Sequence, residues 1–234
     1  MESRLKSTQI VAGAIAKAQQ PPRVWLQAST ATIYAHRYDA PNDEATGIIG
    51  GSEPNAPDTW RFSIDVATSW EHVFNEVTTP HTRKVLMRSA IIMSPDQGGP
   101  FDILLRLVRL GLGGTLGNGK QYVSWIHDQD FVQAVLWLIQ HEELDGAVNL
   151  AAPNPLPNSE FLQSLRKAWG ISWGLPATDW MLEMGAFLLR SETELMLKSR
   201  RVVPKRMLES GFSFQFSTWP EAAHDLCTRW RERN

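Results

Sequence analysis

Residues 123–152, VSWIHDQDFVQAVLWLIQHEELDGAVNLAA, decide the fold. Val123 to Ile126 is a short apolar run that reads as a strand. Asp128 is placed to cap a helix in which Phe131, Ala134, Val135, Leu138 and Ile139 share one apolar face. Ala147 to Ala151 is a second strand. Strand, helix and strand in this order make a crossover unit, and crossovers join parallel strands.

The same alternation extends toward the N-terminus. Leu5, Thr8, Val11 and Ile15 recur at helical spacing until Pro21 and Pro22 end the pattern. Val24 to Ala28 reads as a strand, followed by a polar loop from Ser29 to about Asp58. Loops longer than ~15 residues are uncommon in a compact domain unless they carry function. A helix from Trp60 to Glu76, an apolar strand from Lys84 to Ile92, a turn at Pro95 to Gly99 and a helix from Phe101 to Leu110 follow. After the turn cluster Pro153-Asn154-Pro155-Leu156-Pro157 the pattern is mainly helical: Ser159 to Trp169, Thr178 to Leu189, Pro204 to Ser210 and Trp219 to Trp230. The expected class is α/β, a doubly wound parallel sheet over residues 1–152 with a smaller helical lobe over 153–234. Because the pattern opens with a helix, the sheet is expected to be incomplete, short of at least one strand–helix unit of ~30 residues.

Composition narrows the function classes. A net charge of -2 with 21% charged residues supplies no basic field for nucleic acid. No stretch reaches the ~18 consecutive apolar residues of a membrane span. Residues 1–20 show no leader-like apolar run with a cleavage site, so secretion is not expected. Cys227 is the only cysteine, which fits a reducing cytoplasm. Among the ten tryptophans, Trp25, Trp70, Trp125, Trp137, Trp219 and Trp230 fall at helix or strand positions and are expected in the core.

Several motifs fail on context. Gly111, Gly114 and Gly117 fit G-x-x-G-x-x-G, but a dinucleotide loop needs its glycines between a strand and a helix, and here they lie between a helix and a strand. Gly114 to Lys120 fits G-x-x-x-x-G-K, yet Gln121 stands where magnesium needs Ser or Thr. The six histidines have no ligand spacing, so no metal site is expected. Ser29, His127 and Asp130 could compose a hydrolase triad, but no G-x-S-x-G elbow is present.

Four stretches together resemble one family. They are Leu26 to Tyr34 (LQASTATIY), Leu86 to Ala90 with Pro95 to Gly99, Gly111 to Asp130, and Asn149 to Pro153 with Arg201 to Leu208 and Gly211 to Phe214. In this combination the chain is similar to atypical extended short-chain dehydrogenase/reductases of the nucleotide-sugar-epimerase type that end in a domain of unknown function. Ser3-Arg4 and Ser7-Thr8 also match that group. The resemblance implies an incomplete Rossmann-like sheet, NADP or NAD as cofactor, and a small carbonyl or sugar-like substrate. The family's glycine loop is expected to be missing here, which would weaken cofactor binding. Thr30 takes the position of the family's substrate-contacting Ser or Thr, with Ser29 beside it. The family's Tyr-x-x-x-Lys pair falls near Phe62 and Val66, and no tyrosine in the chain has lysine four residues on.

The candidate catalytic residues are therefore Thr30 and Tyr34, and the candidate cofactor-side residues are Ala28, Ser29, Arg88 and Ser89. Each has a plainer reading. Thr30 at a strand end either contacts substrate or satisfies loop backbone. Tyr34 either gives a proton or packs its ring and bonds its hydroxyl locally. Arg88 either meets a ligand anion or pairs with an acid such as Asp130. Arg200, Arg201, Lys205 and Arg206 read as a solvated basic face, and Trp60, Phe62 and Trp70 as core. Two functions are expected from this set. One is an NAD(P)-dependent oxidoreductase or epimerase-like enzyme. The other is a non-catalytic binding module that associates through an exposed sheet edge.

Overall fold

The computed structural model describes residues 2–53, 58–176 and 198–233. The elements in order are α1 (Glu2–Lys17), β1 (Val24–Thr30), α2 (Asp58–Glu76), β2 (Arg83–Ser89), β3 (Ile91–Met93), α3 (Pro100–Arg109), β4 (Tyr122–Val123) and β5 (Trp125–His127). Then come α4 (Asp128–Gln140), β6 (Gly146–Leu150), β7 (Leu156–Pro157), α5 (Asn158–Trp169), α6 (Lys205–Glu209) and α7 (Trp219–Arg233). The expected helix from Thr178 to Leu189 lies outside the described residues.

The sheet is parallel, as alternating strands and helices require. β1 pairs with β2 and β2 with β6. β3 pairs with β5 in a second parallel ladder, and β4 with β7 in a short antiparallel one. The single strand expected from Lys84 to Ile92 is two. The chain breaks at Ala90, whose N–H donates to the Leu150 carbonyl at 2.9 Å, and beyond it changes partner from β6 to β5. The run expected from Val123 to Ile126 also divides at Ser124, whose hydroxyl accepts from Val202 N at 2.8 Å.

Central strands are buried on both faces, and their side chains alternate. Leu86 turns with Trp25 toward Phe74 of α2 and Ile15 of α1. Val85 and Val148 turn the other way, toward Ala134 and Leu138 of α4 and Met207 of α6. Trp25 meets Phe74 edge-on at 4.7 Å. A third cluster packs α3, α5 and α7 over β3 and β5, with Met93, Trp125, Phe161 and Trp219 fully buried. Trp219 stacks on Phe161 at 4.0 Å and donates its indole N–H to the Phe161 carbonyl. Gly170 ends α5 at φ +93°, the left-handed conformation glycine adopts without strain.

Several expected faces are rotated. In α1 the inward residues are Thr8, Ala12 and Ile15, while Val11 is 42% exposed. In α4 Ala134 and Leu138 are buried but Ile139 is exposed. Phe62 is 61% exposed, so it is not core. Asp128 is not the α4 cap: His127 is, its Nδ1 accepting from Gln129 N at 3.2 Å. Asp128 instead holds Arg229 of α7 through two hydrogen bonds of 2.8 and 2.7 Å.

Candidate functional site

Two neighbouring regions occupy the C-terminal ends of β1 and β2. In register, Ser29 lies opposite Arg88 and Thr30 opposite Ser89. Successive side chains of a strand point to opposite faces, so these adjacent pairs separate.

Ser29 and Arg88 turn toward α2 and form a buried polar knot. Arg88 donates Nε to Glu71 Oε1 at 2.9 Å and Nη2 to Oε2 at 2.7 Å. Ser29 Oγ donates to the same carboxylate. Arg88 Nη1 donates to the Tyr34 hydroxyl at 3.0 Å, and that hydroxyl donates to Asn149 Oδ1 at 2.9 Å. Asn149 Nδ2 continues to the Val203 carbonyl. The acid that meets Arg88 is thus Glu71 and not Asp130, whose oxygens accept from Gln215 N and Phe216 N. Burial opposes the Arg88 charge, but the Glu71 hydrogen bonds and charge outweigh it and hold the guanidinium pKa above its ordinary value. Burial pushes the Tyr34 phenol up, against the opposing charge of Arg88. With its hydroxyl bonded on both sides and its pKa raised, Tyr34 keeps its proton in the neutral range.

Thr30 and Ser89 turn the other way, into a chamber of about 460 Å³. Its wall continues through Ala90, Ile91 and Met93 at the strand break, Leu104 of α3 and Phe161 of α5. Open parallel sheets place ligands at this end of their strands. Thr30 Oγ1 accepts from Thr32 N at 3.1 Å and donates to Thr32 Oγ1 at 3.0 Å, so it also caps the short turn Ala31–Ile33. Ala28 is exposed on β1. Of the six candidates, the structure brings Thr30 and Ser89 to the chamber; Ala28, Ser29, Tyr34 and Arg88 do not line it.

Sequence reasoning missed the rest of the wall. Arg200 is buried and lines the chamber, so the basic cluster is not one solvated face. Lys198 is also buried and donates to the Thr32 carbonyl at 3.0 Å, beneath the Thr30 turn. No local spacing links residues 198 or 200 with residue 30.

The glycine-rich loop has a packing role. Gly114 N donates to the Leu175 carbonyl at 3.1 Å, and Leu175 N donates to the Gly111 carbonyl at 2.8 Å. A Cβ on Gly114 would collide with the Leu175 backbone. The loop is closed against chain, which leaves no cradle there for a phosphate. Among the described residues no group of three or more His, Cys, Asp or Glu is placed to hold a metal. Among them, too, no helix is long and apolar enough to cross a membrane.

His127 forms a third group; it does not line the chamber, although its strand partner Met93 does. It is fully buried, stacks on Phe216 at 3.9 Å, and its Nε2 lies 3.0 Å from Asp225 Oδ2. Since Nδ1 accepts from Gln129 N, the network assigns the neutral tautomer with its proton on Nε2. Burial lowers its pKa despite Asp128 and Asp225.

Comparison with known proteins agrees with this fold. A family model described as "Domain of unknown function (DUF1731)" matches residues 177–226. Human "Epimerase family protein SDR39U1" is 31% identical over 214 residues, covering 92% of this chain and 69% of that protein. An epimerase family protein of Staphylococcus aureus is 29% identical over 98% of this chain and 72% of its own length. The crystal structure of human SDR39U1 (isoform 2) with NADPH superposes with a TM-score of 0.84 at 29% identity, over 97% of this chain and 72% of that one. A nucleoside-diphosphate sugar epimerase from Corynebacterium glutamicum shares the fold at a TM-score of 0.72 and 24% identity, over 97% of this chain and 42% of that one. The chain belongs to the SDR39U1-type epimerase family, atypical extended short-chain dehydrogenase/reductases with a C-terminal domain of unknown function.

Proposed function

We propose that the chamber is the substrate side of an NAD(P)-dependent, epimerase-like oxidoreductase site. The observation that carries this reading is the placement of Thr30 and Ser89 at the strand ends, facing a chamber of small-molecule size. The NADPH in the related human structure supports NADP or NAD as cofactor. The described residues fit the substrate side only. The one glycine-rich loop among them is closed on Leu175, so no pyrophosphate cradle is present in the described part.

In this proposal Thr30 turns its hydroxyl proton from Thr32 Oγ1 to the substrate oxygen, and Ser89 does the same from its long 3.4 Å bond to the Met87 carbonyl. The usual tyrosine–lysine proton relay has no counterpart. Phe62 and Val66 carry no titratable group, and Tyr34 is held in the knot. The division into a sheet unit (1–152) and a C-terminal lobe (153–234) belongs to the same proposal, supported by the family match over 177–226. A cytoplasmic setting is proposed from the single, buried Cys227, whose thiol burial pushes up to about 11.

The test is calorimetric titration of the folded chain with NADPH and NADH. We expect one weak site, in roughly the micromolar-to-millimolar range. No binding by a folded chain would sink the enzyme reading. A second reading, a non-catalytic module, rests on β1: among the described residues one of its edges has no strand partner. Such an edge can pair with a second copy. Concentration-dependent dimerisation in sedimentation, without NADPH binding, would favour it.

A further inference from the structure

The wall of the chamber is chemically one-sided. Among the described residues it includes no carboxylate and one charged side chain, Arg200. Its other polar groups are largely committed. Asn158 Oδ1 accepts from Leu116 N at 3.0 Å, and Thr30 and Thr32 bond each other. The remaining surface is aliphatic or aromatic, with Ile91, Ile103, Leu104 and Phe161 its larger members.

That surface discriminates between substrate classes. A nucleotide sugar brings two phosphates and several ring hydroxyls. Each hydroxyl buried without a partner loses roughly fivefold to over a hundredfold in affinity. Among the described wall residues there is one guanidinium to set against two phosphate charges, and none is an acid that would accept from sugar hydroxyls. Hydrocarbon gains where sugar loses: each buried methylene is worth roughly fourfold.

Resting on the reading of this chamber as the substrate side, we propose that it takes an apolar ketone, or the matching alcohol, in place of a nucleotide sugar. The ligand's single oxygen needs only one donor, which Thr30 supplies by turning its proton from Thr32 Oγ1, with Ser89 beside it. Its hydrocarbon body lies against Ile91, Leu104 and Phe161.

The experiment is displacement of anilinonaphthalene sulfonate from the full chain, without cofactor. Methyl octyl ketone and UDP-glucose are the competitors. The ketone is expected to displace the dye at a concentration at least ~tenfold below UDP-glucose. Ile103→Asn and Leu104→Gln, both at half-buried wall positions, should weaken the ketone by ~tenfold while thermal unfolding still shows a folded protein. Leu136→Gln, on the exposed face of α4, should change nothing. Displacement by UDP-glucose at equal or lower concentration overturns the proposal. So does a ketone midpoint that is the same in the two wall variants as in the wild type. Because NADPH is absent, failure of cofactor binding counts against the preceding reading alone, and failure of the ketone against this one alone.

Discussion

Ser29 and Arg88 differ from Thr30 and Ser89 by one residue in sequence and by nearly everything in environment. The first pair is locked with Glu71, Tyr34 and Asn149 in a network where each donor has an acceptor. The second pair faces an apolar chamber. A strand's two-residue period makes this separation unavoidable once both faces are covered. Polar residues at strand ends thus divide into a set that holds the scaffold and a set that lines the chamber. Residue type alone does not say which is which.

The largest expected effect breaks the knot. Glu71→Gln leaves the Arg88 guanidinium buried against a neutral partner. It should destabilise the fold by about 3–5 kcal/mol, the cost of removing one partner of a buried ion pair, measured by urea unfolding. A loss below about 1 kcal/mol would mean that the pair behaves as a surface bridge. Tyr34→Phe comes next. It removes the hydroxyl between Arg88 and Asn149 and should cost about 1–3 kcal/mol, with ligand affinity in the chamber unchanged.

Thr30→Val sharpens the comparison from the other side. It deletes the hydroxyl that caps the Ala31–Ile33 turn, at a stability cost of about 1 kcal/mol. It also weakens oxygen-bearing ligands of the chamber, read by the same dye displacement. The smallest effect lies outside both regions. Burial holds the folded pKa of His127 below 6.5. A base depressed in the folded state contributes stability above its unfolded pKa, and that stability is lost as pH falls through the folded value. The melting temperature should therefore decline below about pH 6.5, and His127→Gln should flatten the decline.

The parallel sheet was legible because long periodic segments such as Phe131 to Leu138 and the apolar run from Val85 carry their own signal. The break at Ala90 was not. It arises from a change of partner from β6 to β5, a tertiary event inside a continuous apolar run. Arg88 correctly announced a need for an acid, but the sequence offered several, and only the packing of α2 on β1 and β2 selects Glu71. The position of Thr30 at a strand end facing the chamber was legible through the strand-end rule and the family resemblance. The chamber wall was not, since it gathers residues from β3, α3, α5 and position 200, which no local spacing relates. Phe62 misled in the other direction: an aromatic on an amphipathic helix suggests core, yet it faces outward.

The most direct test of the account sets Thr30→Val beside Tyr34→Phe in one experiment, with ligand displacement and thermal unfolding read on each. The account predicts that Thr30→Val weakens methyl octyl ketone with a small change in melting temperature, and that Tyr34→Phe lowers the melting temperature with the ketone midpoint unmoved. The reverse pattern, with Tyr34→Phe abolishing ligand binding and Thr30→Val leaving it intact, would contradict the division between scaffold and chamber.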